Sequence, residues 1–529
     1  MAAARLAAWL VGGAFALGAI ACSGDDESPG ATAGSGGRAG SSAGSGSGAR
    51  SGNSGADASP DSSGGIGGGG SSGTAGSGDA DGSAGTAGSG GSAGMSCTTP
   101  KADVVVQPGS SIQAAVDAEA EGKSFLLAAG VHRMQSVRPK KGDIFYGDLR
   151  PDCSRSTTLS GARVLSSWSK QGSVWQHGGQ SQMGQVHGEC EAGWERCNRP
   201  EDLFVDDVPL HHVATLGEVG PGEWYFDYDA DTVYLGDDPS GHVVEIGVTR
   251  VAFSPSADDV TIKNLVVEKY AIPPQMGAIG DQYPKAGWRI ENNEVRFNHG
   301  TGINVSSSSS VVDNYVHHNG QKGVGAGGDD VLFEANEIAY NNFAHISSGW
   351  EAGGSKFSQT NRLTVRRNCI HHNDGPGLWT DIDNRNTLYE KNVSFANQKE
   401  GIFHEISFDA VIRNNLVGDN GKSFSWLYGS QILVSTSQNV EVFGNVVEVP
   451  ASYGNGISII WQNRPPWRGT GSRLHDNDVT FLSDARIWQN TPAQTGAAAD
   501  FSPATTEVFS GNSMAVSYTH LTLPTILRV

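Results

Sequence analysis

Positive charge is in short supply. The 529 residues carry 36 Lys and Arg against 56 Asp and Glu, a formal net charge of −20. A nucleic-acid partner requires a basic face, so this balance argues against one. It also makes a strongly anionic substrate a poorer match. Apolar residues are scarce too, at 37% of the chain. The one long uncharged apolar run, Leu6 to Ile20, is short for a membrane span. No second run is long enough to cross a bilayer.

The low apolar fraction averages two different materials. Residues 1–21 read as a secretory signal, with Arg5 as the positive start and small residues after the apolar run. Residues 22–96 are almost entirely Gly, Ser, Ala and Asp, so they cannot bury enough apolar surface to offset ordering entropy. They are expected to be a disordered tether. The segment Ala19-Ile20-Ala21-Cys22 resembles a bacterial lipoprotein cleavage box, with Ala19 where Leu is commonest. That resemblance implies a lipid on Cys22 and attachment to a membrane; the alternative is an ordinary signal peptide with a nearby cysteine. The expected location is outside the cytoplasm, as an outer-membrane-anchored lipoprotein or an extracellular protein, and the chain is expected to act as a monomer.

Export permits disulfides. Cys190 and Cys197 lie close together in a polar loop and are the expected pair; a zinc site built from His187, Cys190 and Cys197 is the weaker alternative. Cys97 and Cys153 are a further candidate pair, and Cys369, inside a strand pattern, is expected as a buried thiol.

From about residue 260 the chain repeats itself. A short β-like run ends in Asn, and a second Asn follows five residues later: Asn293 and Asn298, Asn314 and Asn319, Asn336 and Asn341, Asn368 and Asn373, Asn392 and Asn397, Asn415 and Asn420. The first members are 21, 22, 32, 24 and 23 residues apart. Asn264, Asn445, Asn477 and Asn512 are expected single equivalents. Apolar residues alternate and Gly and Asn punctuate, which excludes a helical solenoid. The expected fold is all-β: a right-handed parallel β-helix over 97–515, in which stacking buries what one coil cannot. Asn suits the corners because it tolerates left-handed backbone and its side chains can satisfy one another along the stack.

Ser111 to Asp117 reads as a short amphipathic helix and Phe125 to Val131 as a strand and turn. This stretch resembles the N-terminal cap of pectate-lyase-like β-helix proteins, and a cap would cover the first sheet edge. Residues about 160–250 break the rhythm and are expected to be an inserted β-rich module whose aromatics form its own core or border a groove. Residues 516–529 look like a translated sequencing adapter and are expected to be non-native.

Two neighbouring coils align on their second Asn: Asn373-DGPGLWTDID and Asn397-QKEGIFHEIS. Alternation points Leu378, Thr380, Ile382, Ile402, His404 and Ile406 inward, and Trp379, Asp381, Asp383, Phe403, Glu405 and Ser407 outward. Asp381 and Glu405 each lie 8 residues past their Asn, in register on adjacent strands. Strands stack about 4.8 Å apart, and carboxyls about 5–5.5 Å apart suit a retaining glycosidase. Such proximity raises one carboxyl pKa and leaves a proton donor beside a charged partner. Candidate substrate contacts are Trp379, Asp383, Phe403, His404, Trp350, Glu351, Lys356 and Trp461. Stacked acids can instead bind calcium; no cofactor is expected to be required, and no dedicated metal site is expected.

The stretch Gly349 to Asn415, with GWEAGGSKF, GLWTDIDN and GIFHEIS, is distantly similar to the retaining β-xylosidases of glycoside hydrolase family 120. That resemblance implies Asp381 as nucleophile and Glu405 as acid/base. The leading expectation is a glycoside hydrolase acting on a polysaccharide or oligosaccharide. A polysaccharide lyase recruiting calcium with Lys356, Arg385 and Asp383, and a non-catalytic carbohydrate-binding or adhesin-like solenoid, are the alternatives.

Overall fold

The computed structural model describes Cys22, Cys97, residues 99–423, 427–460, 462, 464–482, 508–510 and 513–516. The described residues form three long parallel sheets of 13, 12 and 8 strands, and two smaller sheets of 4 and 5. One coil shows the construction. Thr364–Arg366 joins the 13-stranded sheet, Cys369–His371 the 12-stranded sheet and Leu378–Thr380 the 8-stranded sheet. Each central residue then pairs with its counterparts one coil away: Val365 lies between Phe333 and Tyr389, and Ile370 between Ile338 and Ser394. Because successive side chains alternate faces, a three-residue strand sends either its central residue or its two ends into the core. Thr364–Arg366 accordingly buries Val365 alone.

The asparagines form two continuous ladders through buried corners. In one, which starts at Asn293, Asn314, Asn336, Asn368, Asn392, Asn415, Asn445 and Asn477 each accept at Oδ1 from the Nδ2 of the preceding rung. The second runs from Asn298 to Asn420 and ends on Gln431 Oε1. The expected corner role is therefore met, but the left-handed backbone is displaced by one residue. The positive φ belongs to the residue before each Asn, including Asp313, Ala335, Arg367 and Lys391 in the first ladder and His318, Tyr340 and His372 in the second. The Asn itself keeps an ordinary backbone so that its carboxamide can lie along the stack. Asn264 is corrected for the same reason: it occupies the left-handed position at φ 61°, and Leu265 N–H takes the ladder bond to Asn293 Oδ1. Asn512 lies outside the described residues.

At the front, the helix Ile112–Ala118 is capped by Ser111, whose hydroxyl accepts from Ala114 N at 3.1 Å. It buries Ile112 and Val116 against the first coil. The inserted module lies between the strands Ala162–Leu165 and Val244–Gly247 and has its own core of Leu203, Trp224, Phe226, Val233 and Leu235. Trp224 and Phe226 thus belong to that core and not to a groove. Buried Lys269 reaches Asp207 and Glu245 of the module, and His299 lies 3.0 Å from Asp202. At the far end Ser513–Val516 pairs with Asp478–Phe481, so sheet pairing includes Val516; residues 517–529 lie outside the described residues.

Three disulfides join Cys190 to Cys197, Cys97 to Cys153, and Cys22 to Cys369. The first two are the expected pairs, and the first removes both thiolates from the alternative zinc site. The third corrects one expectation: Cys369 is not a free thiol but is bonded to Cys22. Among the described residues no helix is long and apolar enough to cross a membrane.

Candidate functional site

The 8-stranded sheet carries the acidic pair. Leu378 pairs with Ile402, Trp379 with Phe403 and Thr380 with His404. Asp381 and Glu405 each directly follow the last of these paired residues; Asp381 lies just past the end of its strand, and Glu405 ends its own and pairs with Ser435 of the next coil. Leu378, Thr380, Ile402 and His404 are fully buried on the inner face. Ile382 is an exception: its φ of 65° opens a left-handed turn and leaves it 37% exposed. Ser407, expected outward, is buried; its hydroxyl donates to Glu405 O at 2.6 Å and accepts from Asn384 Nδ2 at 3.1 Å.

Each acid has its own cation. Lys356 Nζ lies 2.9 Å from Asp381 Oδ2 and 3.5 Å from Glu351 Oε2, while Lys322 holds the other Glu351 oxygen. Arg464 holds Glu405 Oε1, and Trp379 Nε1 donates to Glu405 Oε2 at 3.3 Å. Burial pushes the Glu405 carboxyl up and neighbouring Asp381 adds to this, partly opposed by Arg464. Burial would also raise Glu351, but Lys322 and Lys356 outweigh it and hold that carboxyl at about 2. Lys356 is raised above its ordinary value because Glu351 and Asp381 overcome the burial that would lower it. With a cation already on each acid, calcium at the pair would have to displace Lys356 and Arg464.

Several expected contacts take other roles. Trp379 stacks on Phe403 at 5.6 Å and 8°, and Lys356 Nζ sits 4.1 Å from its ring centre. These neighbours come from successive coils on either side, so the tryptophan forms a wall and not a stacking platform. Trp379 and Phe403 pack with Leu433, Ile460 and Tyr428 in a cluster separate from the main core. His404 faces inward, with Nδ1 2.7 Å from Thr380 Oγ1, and burial lowers its ring pKa to about 3. It is an interior neutral imidazole, not a substrate contact. Trp350 packs edge-on to His187 at 5.4 Å, beside the Cys190–Cys197 loop. Asp383 Oδ1 accepts from Trp467 Nε1 at 2.9 Å. Trp461 lies outside the described residues.

Other participants escaped the sequence reading. Arg464 and Trp467 come from a proline-rich loop after the strand Asn455–Ile460, where no repeat register reaches. Lys322 begins a strand three residues after a ladder Asn and resembles any polar corner. Glu400 is 1% exposed, its Oε2 has no hydrogen-bond partner, and burial pushes its carboxyl up to about 8. The coil alignment could have found it, since it immediately precedes Gly401, the partner of Gly377.

Residues 282–479 match the family described as right handed beta helix region. The solved structure of XylC with xylose is similar at 16% identity, covering 77% of this chain and 82% of that one, with a TM-score of 0.60. The fold is a right-handed parallel β-helix. The A-module of the Azotobacter vinelandii mannuronan C-5 epimerase AlgE4 overlaps at 14% identity, over 79% of this chain and 98% of that one, with a TM-score of 0.45. DFA-IIIase from Arthrobacter chlorophenolicus A6 with DFA-III overlaps at 11% identity, over 74% and 84%, with a TM-score of 0.34. No curated protein sequence matches. At these identities the likeness is one of fold.

Proposed function

We propose that this β-helix is an exported carbohydrate-active protein, and that it is a retaining glycoside hydrolase acting on an oligosaccharide or polysaccharide. The observation that carries the reading is that Asp381 and Glu405 directly follow Thr380 and His404, which pair on adjacent strands, with Glu405 biased toward keeping its proton. Adjacent strands lie about 5 Å apart, a spacing that suits double displacement by carboxyls on neighbouring coils. The Asp381 carboxylate attacks the anomeric carbon as Glu405 gives its proton to the departing oxygen, which breaks the glycosidic bond. Glu405, now a carboxylate, takes a proton from water, and that water oxygen displaces Asp381 from the sugar. Lys356 fixes the Asp381 carboxylate, while Trp379 and Arg464 fix the two oxygens of Glu405. A sugar-bound protein of similar fold, XylC with xylose, adds weight to a saccharide substrate. Pairing of all the cysteines suits an oxidising compartment.

A panel of aryl glycosides and oligosaccharides tests the reading. Asp381→Asn and Glu405→Gln are each expected to lose at least about a thousandfold in kcat while retaining fold and sugar binding. Full turnover by either variant refutes this pair. The lyase reading is less favoured, because Lys356 is bound between two acids and raised in pKa, which makes it a poor base.

A further inference from the structure

Away from the carboxylate pair, three ligating side chains from separate segments converge. Glu191 lies in the loop closed by Cys190–Cys197, His345 in the long connection after Asn342, and Asp374 at the corner entering the Trp379 strand. One carboxylate oxygen from each acid and a ring nitrogen of His345 lie within 4.8 Å of one another. His345 Nδ1 is 3.6 Å from Asp374 Oδ2.

The convergence is built by the backbone. Glu191 N donates to His345 O at 3.0 Å, and Cys190 bridges Ile346 beside it. Buried Asn342 donates from Nδ2 to Ile346 O and to Asp374 O, both at 2.9 Å. Asp374 N donates to Asn341 O at 3.0 Å, which ties the corner to the second asparagine ladder. Trp194 lies flat against His345, 3.8 Å between ring centres and 20° between planes, and so fixes the imidazole. Two carboxylates fixed this close repel each other unless a cation is shared. The charge of Lys399 on the next coil is attracted to both and supplies part of the balance.

We propose that Glu191, His345 and Asp374 bind a divalent transition-metal ion of the zinc class. An imidazole nitrogen with two carboxylates suits zinc or its neighbours, whereas calcium takes six to eight oxygens. Three protein ligands leave room for water to complete the shell. The ion clasps the disulfide loop to the strand leading into Asp381 and takes over the charge balance from Lys399.

The untagged full chain, with disulfides intact and metal removed by chelation, is titrated calorimetrically with zinc chloride and, in parallel, calcium chloride. One zinc per chain is expected, with calcium bound at least tenfold more weakly. His345→Ala and Asp374→Asn each lower zinc affinity at least tenfold, with fold checked by circular dichroism. In the wild type, zinc slows hydrogen exchange in residues 187–198 and 342–347, a readout that stands even if a variant fails to fold. Absence of stoichiometric zinc uptake, tighter binding of calcium, unchanged affinity in a folded variant, or exchange protection confined to other segments overturns the assignment.

Discussion

Glu400 places a measurable electrostatic load on the fold. Its side chain is 1% exposed, and burial moves its carboxyl from the ordinary 4.5 to about 8; Lys399 opposes this and Glu405 reinforces it. Each tenfold change in proton affinity is ~1.4 kcal/mol, so ionising this carboxyl costs the fold about 5 kcal/mol. The folded carboxyl keeps its proton to higher pH than the unfolded one. Its stabilising contribution is therefore complete below about pH 4.5 and is lost as the pH rises through about 8. Glu400→Gln keeps the shape and removes the titration. Urea unfolding of both proteins across this range gives the difference in stability at each pH, and the other titrating groups cancel. The two proteins should differ least in the acid, and the variant should gain on the wild type by several kcal/mol toward pH 9. A difference that stays constant with pH, or that grows in the wild type's favour as pH rises, refutes the reasoning.

Arg464→Gln removes the cation that opposes the upward shift of Glu405, so the basic limb of a kcat/KM profile should move to higher pH; an unmoved limb argues against Glu405 as the proton donor. Asn368→Ala deletes the side-chain bonds to Phe333 O, Arg366 O and Asn392 Oδ1 and the two that it accepts from Asn336. It should lower unfolding free energy by about 3 kcal/mol, and a loss below about 0.5 kcal/mol in denaturant melts would contradict the ladder's structural role. Non-reducing peptide mapping should recover Cys22 linked to Cys369; an alkylatable Cys369 with a lipid-modified Cys22 would show instead that the lipoprotein form prevails.

The repeat was legible because its Asn residues have one job in every coil. The carboxamide reaches both the rung before and the rung after, and few other side chains can do so. The left-handed residue was legible only in part: Asn292, Asp313, Asn414, Gly444 and Asp476 are types that favour it, but the same position also accepts Arg367, Ala335 and His372. The same contrast governs the site. Asp381 and Glu405 could be aligned because parallel strands carry register from coil to coil. Arg464, Trp467 and Glu191 arrive through loops, where length varies and no period locates a side chain. The aromatic contacts misled for a third reason: alternation gives the face of Trp379 but not what covers it, and Phe403 and Lys356 occupy the ring.

The two acids are chemically unequal although the coil repeat places them alike. Asp381 receives its cation from the preceding coil, where Lys356 belongs to a buried chain of alternating charge continuing through Glu351 to Lys322. Glu405 receives Arg464 from a loop beyond the following coil, and that guanidinium is more exposed than the Lys356 ammonium. Asp381 is thus fixed by a dry, multiply braced lysine, and Glu405 by a partner that water can screen. A nucleophile benefits from being held in one position, whereas an acid/base must gain and lose a proton within each turnover. The asymmetry of the supporting charges therefore favours Asp381 as the attacking group and Glu405 as the proton carrier, on grounds independent of any family resemblance.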